Sequence, residues 1–326
     1  MSIDRKERVE ALKLDSMADH LNTLAGSKKF DSYFLGEVLE YLEPVVYEPS
    51  YQVLKAAEIF PVKTSVPEGA QVYKYYTLDG QGQAKAYSNG ATDIPMVDVN
   101  MTETNQNLQS YAIGFSYTIE DLERCRFAGL ESLDTARARK ARMVLEQKLD
   151  DVAATGDADF GIPAGISPTN HNDVTLTTAD YPAATAAQIV QNWADMITAA
   201  QTTANGSMWA DRPWTIVFPS TAKGIHAQPY SDTLPEPLAA ALDRSYGSMI
   251  DNVFYWAKLN AAGGNSEGTI MMFPRDPEVV EYVLPQPPMM TAPQPHALGF
   301  RVYMKARTGG LVWRHADLCH EGDWNT

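Results

Sequence analysis

Several stretches of the chain alternate apolar and polar residues with a period of two. Val97, Val99 and Met101 alternate with Asp98, Asn100 and Thr102. Tyr111, Ile113, Phe115 and Tyr117 alternate with Ala112, Gly114 and Ser116. This period predicts strands with one buried face. The polar residues between them, Glu103 to Gln109, predict a turn, a bulge or a solvated stretch. Upstream, Val72 to Leu78 has strand composition with three tyrosines. Asp79-Gly80-Gln81-Gly82 interrupts it, Ala84 to Tyr87 resumes it, and Ser88-Asn89-Gly90 interrupts again. The pattern predicts a long hairpin. A two-stranded ribbon is barely stable alone in water, so it must lie on its own domain or on a neighbouring chain. Near the end, Phe300, Val302, Met304 and Ala306 alternate with Arg301, Tyr303, Lys305 and Arg307. Thr308-Gly309-Gly310 then turns the chain into Leu311-Val312-Trp313. This segment is expected to rejoin the sheet begun at 97–117.

Helical spacing dominates elsewhere. Leu14, Met17, Leu21 and Leu24 mark a short amphipathic stretch in a polar arm, marginal without a partner surface. Phe34 to Leu42 is a second apolar helix candidate, ended by Glu43-Pro44. Thr118-Ile119-Glu120-Asp121 resembles a capping box with Asp in the place usual for Glu. Gly129 marks a break, and a longer helix is expected from Leu130 to Thr155, ending at Gly156. Its predicted stripe is Ala141, Val144, Leu145, Leu149 and Val152. A loop punctuated by Gly161, Pro163, Gly165 and Pro168 follows. Residues 181–284 read as a separate α/β lobe, with a helix over Ala183 to Ala204 and helical character from Leu238 to Leu242. Its strand candidates are Trp214 to Phe218, Val253 to Trp256, Thr269 to Phe273 and Val279 to Leu284. The proline-rich run from Pro285 to Pro295 is expected to be a stiff return linker. If the later strands rejoin 97–117, the lobe is inserted between two halves of one domain.

Composition narrows the class. The chain has 326 residues, 44% hydrophobic and 21% charged, enough for a large core. Its 41 acids against 26 bases give a net charge of -15. A protein that wraps DNA usually has the opposite sign. No apolar window reaches membrane-span length, and no membrane contact is expected. The start, Met1 to Arg8, lacks a signal-peptide core. Cys125 and Cys319 are the only cysteines, too few for a disulfide framework or a cysteine zinc site. A reducing, cytoplasmic compartment fits.

Candidate chemistry is sparse. Gly80-Gln81-Gly82 lacks the third glycine of a dinucleotide fingerprint. No phosphate loop, HExxH or GxSxG motif is present. His171-Asn172-Asp173, and His315 with Asp317, His320 and Glu321, could bind a metal. Both read more simply as solvated or structural histidines. Cys319-His320 could suggest a thiol nucleophile, but no oxyanion-forming segment adjoins it. Arg137, Arg139, Lys140, Arg142 and Lys148 cluster on the long helix. They do not share one face at 3.6 residues per turn, so salt bridges are expected in preference to a nucleic-acid strip. Neither a cofactor nor a metal is required.

The order of elements resembles a known family. It runs arm, long hairpin, amphipathic strand, long helix, Gly-rich loop, inserted α/β lobe, returning strands. The local match covers Gly69-Ala70, Gly82-Gln83-Ala84 and Asp93-Ile94-Pro95-Met96-Val97-Asp98. It continues through Tyr111 to Thr118, Asp121-Leu122-Glu123, Gly156-Asp157 and Gly161-Ile162-Pro163-Ala164-Gly165. Together these resemble HK97-type major capsid proteins of tailed bacteriophages, in particular the encapsulin-like coat proteins.

The resemblance implies an α+β fold. Residues 1–33 would form an N-terminal arm and 34–63 the start of a peripheral domain. Residues 64–98 would be the hairpin called the E-loop, and 99–180 the peripheral domain with its long spine helix. Residues 181–294 would be the axial domain, and 295–326 the returning strands. It implies self-assembly through pentamers and hexamers into an icosahedral shell, built in the host cytoplasm and resident in the virion. The enclosed dsDNA would be held without sequence-specific contacts. A separate scaffolding protein, a portal and decoration proteins are implied partners. Inter-subunit contacts are expected from Tyr73, Tyr75, Tyr76, Gly80, Gly82, Lys85, Tyr87 and Asn89 of the hairpin. Arg137, Lys140 and Lys148 are the basic residues singled out on the spine helix. Lys85 lies in the segment that some shells of this type cross-link, but it reads as an ordinary solvated lysine. Two other readings stay open: an encapsulin-type nanocompartment shell of the same fold, and a cytoplasmic enzyme with an unrecognised site.

Overall fold

The computed structural model describes residues 55–81, 84–86, 96–128, 133–177, 184–204, 208–209, 212–230, 236–261 and 268–324. The chain divides into two units. One comprises Met1–Pro49 with Phe127–Leu130, and the other Ser50–Arg126 with Glu131–Thr326. The expected arm and the helix at Phe34 to Leu42 lie outside the described residues.

Among the described residues the second unit carries four sheets. Strands β2 (Val72–Gln81) and β3 (Asp98–Asn107) pair antiparallel over ten positions, from Val72 opposite Asn107 to Gln81 opposite Asp98. The hairpin's first strand is the expected one, but its return strand is Asp98–Asn107 and not Ala84 to Tyr87, so the alternating Val97 to Met101 segment belongs to the hairpin and not to the sheet of 111–117. Glu103 to Asn107 form part of the return strand and not a turn, because two of their amides find partners at a distance. Gln106 Nε2 donates to the Gly309 carbonyl at 2.7 Å, and Asn107 Nδ2 to the Phe160 carbonyl at 2.9 Å. The break comes at buried Leu108.

Strand β4 (Gln109–Thr118) then pairs with β12 (Gly299–Thr308) along its whole length, Thr118 opposite Gly299 and Gln109 opposite Thr308. The returning strand thus rejoins the 109–118 part of the expected sheet, while 98–107 stands apart from it in the hairpin. β10 (Gln286–Met290) and β11 (Gln294–His296) line the other edge of β12. The proline-rich run is therefore strand at both ends. Pro287, Pro288 and Pro295 sit on edge strands, and Pro287 and Pro288 fall in a register irregularity, where a missing N–H costs no ladder bond.

Helix α1 (Ala56–Ile59) precedes β1 (Val62–Lys63). Helix α2 (Ile119–Ala128) begins at the expected box: Asp121 N donates to Thr118 Oγ1 at 3.1 Å and Thr118 N to Asp121 Oδ2 at 3.4 Å. Helix α3 (Leu133–Thr155) follows and ends at Gly156, which has φ 72°. A Cβ there would lie 2.4 Å from the Ile162 carbonyl oxygen, so only glycine fits. Ala141, Leu145, Leu149 and Val152 are buried, whereas Val144 is exposed on the flank of that stripe.

The lobe holds α4 (Ala186–Thr203), β6 (Trp214–Pro219), α5 (Ala222–His226), α6 (Leu238–Tyr246), β7 (Ile250–Trp256) and β8 (Gly268–Phe273). Its five-stranded sheet has the order β5, β14, β8, β6, β7, where β5 is Asn172–Asp173 and β14 is His320–Trp324. Two strands change company relative to expectation. β9 (Val280–Val283) leaves the lobe to lie between β1 and β13 (Gly310–Trp313). β14, from the returning segment, enters the lobe's sheet beside β8. Alternation identifies a strand but not its partner.

One large core joins these parts. Phe60 stacks on Phe273 at 5.1 Å and meets Trp256 and Trp313 edge-on. Buried Asp150 of α3 caps α1, accepting from Ala56 N at 3.0 Å and Lys55 N at 3.2 Å. Its other oxygen accepts from Trp256 Nε1 at 3.2 Å.

Candidate assembly surface

The hairpin has two unlike faces. Tyr73, Tyr75, Thr104 and Gln106 lie on one, and Tyr76, Leu78, Val99 and Met101 on the other. The first face is anchored at the root. Tyr75 Oη donates to the Trp313 carbonyl at 3.2 Å. Arg314 Nη2 donates to Tyr73 Oη at 2.9 Å and to Glu281 Oε2 at 2.5 Å. Lys63 Nζ reaches the same carboxylate at 3.1 Å. Arg314 lies over the Tyr75 ring and Lys63 over the Tyr73 ring. Burial opposes the charge of Arg314 and of Lys63, but Glu281 and Tyr73 outweigh it and both are held more firmly protonated than usual. Burial likewise raises the Tyr75 phenol. The root is thus a cluster in which every ionic group has a partner.

The second face is bare towards the outer end. Leu78 and Val97 are 70% exposed and Met101 65%. Tyr76 and Val99 are also exposed. The alternation at 97–101 predicts a buried face, and the subunit alone does not bury it. Contiguous apolar surface of this kind marks an interaction site. Among the described residues the two strands pair only with each other, which leaves free edges.

The other singled-out residues are distributed as follows. Tyr73 and Tyr75 hold the hairpin to its own chain, and Tyr76 points from the bare face. Gly80 pairs opposite Val99, whose Cγ2 would stand 3.7 Å from an added Cβ, an ordinary contact. Lys85 is exposed beyond the strands, and Gly82, Tyr87 and Asn89 lie outside the described residues. On α3, Arg137 donates to the Ser116 carbonyl at 2.6 Å and pairs with Asp121 at 3.5 Å. Lys148 pairs with Asp157 at 3.3 Å and lies over the Tyr111 ring. Tyr111 donates to the same Asp157 carboxylate at 2.8 Å, and this bond, with Lys148, lowers the Asp157 pKa. Arg142 pairs with Glu146, while Lys140 is exposed.

The metal and thiol candidates are structural. His171 Nε2 meets Asp173 at 2.8 Å and Glu321 at 3.7 Å. Glu321 is buried and accepts from Ser167 N at 2.7 Å and Ser167 Oγ at 2.6 Å, tying the loop after α3 to β14. Among the described residues no group of three or more His, Cys, Asp or Glu side chains is placed to hold a metal ion. Cys319 is buried, and burial with the neighbouring Glu321 raises its pKa, the reverse of an activated thiol. Sequence reasoning missed Asp150, Glu281 and Arg314. Each acts on partners remote in the chain, which no local spacing reveals.

The family model for major capsid proteins matches residues 82–319, from the hairpin through the lobe to the returning strands. The chain belongs to the major capsid protein family. Solved structures carry the same fold. The capsid of Myoviridae phage XM1 superposes with a TM-score of 0.76 at 12% identity, covering 90% of this chain and 99% of that one. Mycobacterium phage Bobi gives 0.61 at 14% identity, covering 91% and 98%. The virus-like particle from Pyrococcus furiosus gives 0.51 at 12% identity, covering 81% and 90%. No curated protein matches the sequence. The capsid protein is thus a self-assembling shell subunit of HK97-like fold, resident in the virion capsid. Its hairpin, anchored at the root and bare along the outer part of its described strands, is the feature most in need of a neighbour.

Proposed function

We propose that the capsid protein assembles through pentamers and hexamers into the icosahedral shell of a tailed phage, enclosing dsDNA without sequence-specific contacts. In this reading residues 64–98 reach over the adjacent subunit and the 181–294 lobe gathers around the symmetry axes. Residues 99–180 and 295–326 form the body between them. The observation that carries it is the exposed apolar face of Tyr76, Leu78, Val97, Val99 and Met101. Burying one such side chain contributes about 1.5–3 kcal/mol, repeated at every copy of a closed shell. The role is structural and not enzymatic. Scaffolding, portal and decoration functions fall to separate proteins. The likeness to the Pyrococcus furiosus particle supports a second reading, a nanocompartment shell.

The test replaces Leu78 and Met101 together with Glu. The subunit should keep its thermal midpoint, because neither side chain is buried, while closed particles in negative-stain microscopy and the fast-sedimenting fraction largely disappear. Normal particles from this variant would sink the inter-subunit role of the hairpin. Genome-sized DNA in nuclease-treated wild-type particles supports the virion reading, and protein cargo without DNA the nanocompartment.

A further inference from the structure

Strand β5 lies at one edge of the lobe's sheet and pairs, among the described residues, only with β14. Asn172 N donates to the Cys319 carbonyl at 2.8 Å and Val174 N to the Glu321 carbonyl at 2.6 Å. The alternate residues, Asp173 and Thr175, therefore turn their N–H and C=O groups away from β14, and both residues are exposed. This edge opens on a cleft of about 630 Å³. Its opposite wall is α4, through Gln191, Asp195, Thr198 and Thr202. The usual devices that blunt an edge are missing, since residues 172–177 contain neither lysine nor proline.

The edge is fixed at both ends. On the approach, Ser167 and Asn170 hold left-handed φ angles of 54° and 70°, and Ser167 is clamped by Glu321 of β14. Asn172 Nδ2 donates to the Asp317 carbonyl. Beyond the edge, Thr177 N and Oγ1 donate to Asp195 Oδ2 of α4 at 3.0 and 2.6 Å. The ordering cost thus falls on folding and not on binding. The cleft is also anionic: its lining includes Asp173 and Asp195 and no lysine or arginine. His171 covers Asp173 Oδ1 at 2.8 Å. Among the described residues Asp195 accepts from neutral donors alone, Thr177 and Gln191, the latter at 3.0 Å. Burial opposes the Asp195 charge, but these donors outweigh it and hold the carboxyl below its usual range.

We infer that the free edge of β5 is a docking strand for an extended, basic segment of a partner protein, which pairs with the Asp173 and Thr175 main chain inside the cleft and sets a lysine or arginine towards Asp195. Main-chain bonds to the edge supply the affinity and the carboxylates supply the choice of partner. The partner is not a second copy of the hairpin. Strands β2 and β3 contain Asp79, Asp98 and Glu103 against one lysine, Lys74, already paired with Glu103 at 2.6 Å. Like charge would oppose them in this cleft. Nucleic acid is excluded on the same ground, because its phosphates would face two carboxylates.

The probe is a labelled, capped peptide that alternates lysine and valine, titrated into unassembled full-length subunits and into nuclease-treated empty shells. It should bind both, and hydrogen exchange over residues 171–177 should slow when it does. The same peptide with alternate backbone amides methylated keeps its charge but cannot extend a sheet, and should bind about tenfold or more weakly. Equal binding of the two peptides would overturn the inference, because attraction to an acidic chain would then explain it. So would no binding at all. Binding to subunits but not to shells would overturn the partner reading and give the edge to a neighbouring copy. Two variants locate the site. Thr175→Pro removes an outward N–H that no bond to β14 uses, and Thr198→Arg places bulk and positive charge on the exposed opposite wall. Each should weaken the unmethylated peptide about tenfold or more at an unchanged thermal midpoint. Undiminished binding to the folded Thr198→Arg subunit would place the peptide elsewhere and sink the proposal.

Discussion

Two histidines of the lobe show how a single side chain ties stability to pH. His226 is buried against Phe218 and Trp193, its Nδ1 2.9 Å from Tyr255 Oη. His320 is buried beside Trp214, with neither ring nitrogen hydrogen-bonded. Burial lowers each from 6.5 to about 4, with Asp317 opposing the shift at His320. A lowered histidine means the fold holds the neutral form while the unfolded chain takes up the proton. Stability is therefore present above pH 6.5 and is lost as pH falls towards 4, by up to about 3 kcal/mol per histidine. His171 runs the other way. Burial opposes its charge, but the Pro168 carbonyl, Glu321 and Asp173 raise its pKa, so its contribution is full below 6.5 and fades above. Unassembled subunits should thus show a lower urea midpoint at pH 5 than at pH 7. His226→Phe with Tyr255→Phe should flatten that drop. A drop of undiminished size would show that His226 does not carry it. None of this is legible in the sequence, where six scattered histidines look alike.

Among elements, α3 and the loop that follows it were the most legible and are the least tolerant. The stripe at Ala141, Leu145, Leu149 and Val152 and the stop at Gly156 are local signals present in the fold, as is the capping box of the preceding α2 at Thr118; of the expected stripe only Val144 is exposed. Gly165 has the same character as Gly156. A Cβ there would stand 2.1 Å from the Ala153 carbonyl oxygen and 2.4 Å from Leu311 Cδ1. Gly156→Ala forces a side chain into the left-handed region and into the Ile162 backbone. It should cost about 2 kcal/mol or more, read as a fall in the denaturant midpoint. An unchanged midpoint would mean that the turn relaxes freely. The polar strand Glu103 to Asn107 was not legible. It lacks an apolar alternation because its amides bond to Gly309 and Phe160, and those partners are distant in sequence. The same blindness explains the proline strands β10 and β11, which have partners on one side only.

At the scale of the whole molecule, the rejoining of β12 to β4 was legible and the partners of β9 and β14 were not. Long alternating strands advertise a half-buried sheet, whereas short, fully buried strands such as Val280–Val283 fit any interior position. The insertion has a kinetic corollary. β6 and β7 pair across the shorter connection, through α5 and α6, Trp214 with Ile250, while β4 must wait for β12, Gln109 for Thr308. Closing the longer loop costs more entropy before any contact repays it. In refolding followed by pulsed hydrogen exchange, amides of β6–β7 should gain protection before those of β4–β12. The reverse order would place the folding nucleus in the long sheet.

The placement of α3 before the inserted lobe bears on synthesis. Its apolar stripe is made early, yet β9, β12 and β13, which pack on it, emerge from the ribosome only after the whole lobe has been translated. Through that interval Leu145, Leu149 and Val152 face water on a nascent chain. Translation speed across the lobe sets how long this surface is open to chaperones, to proteases and to the same helix on the next ribosome of the polysome.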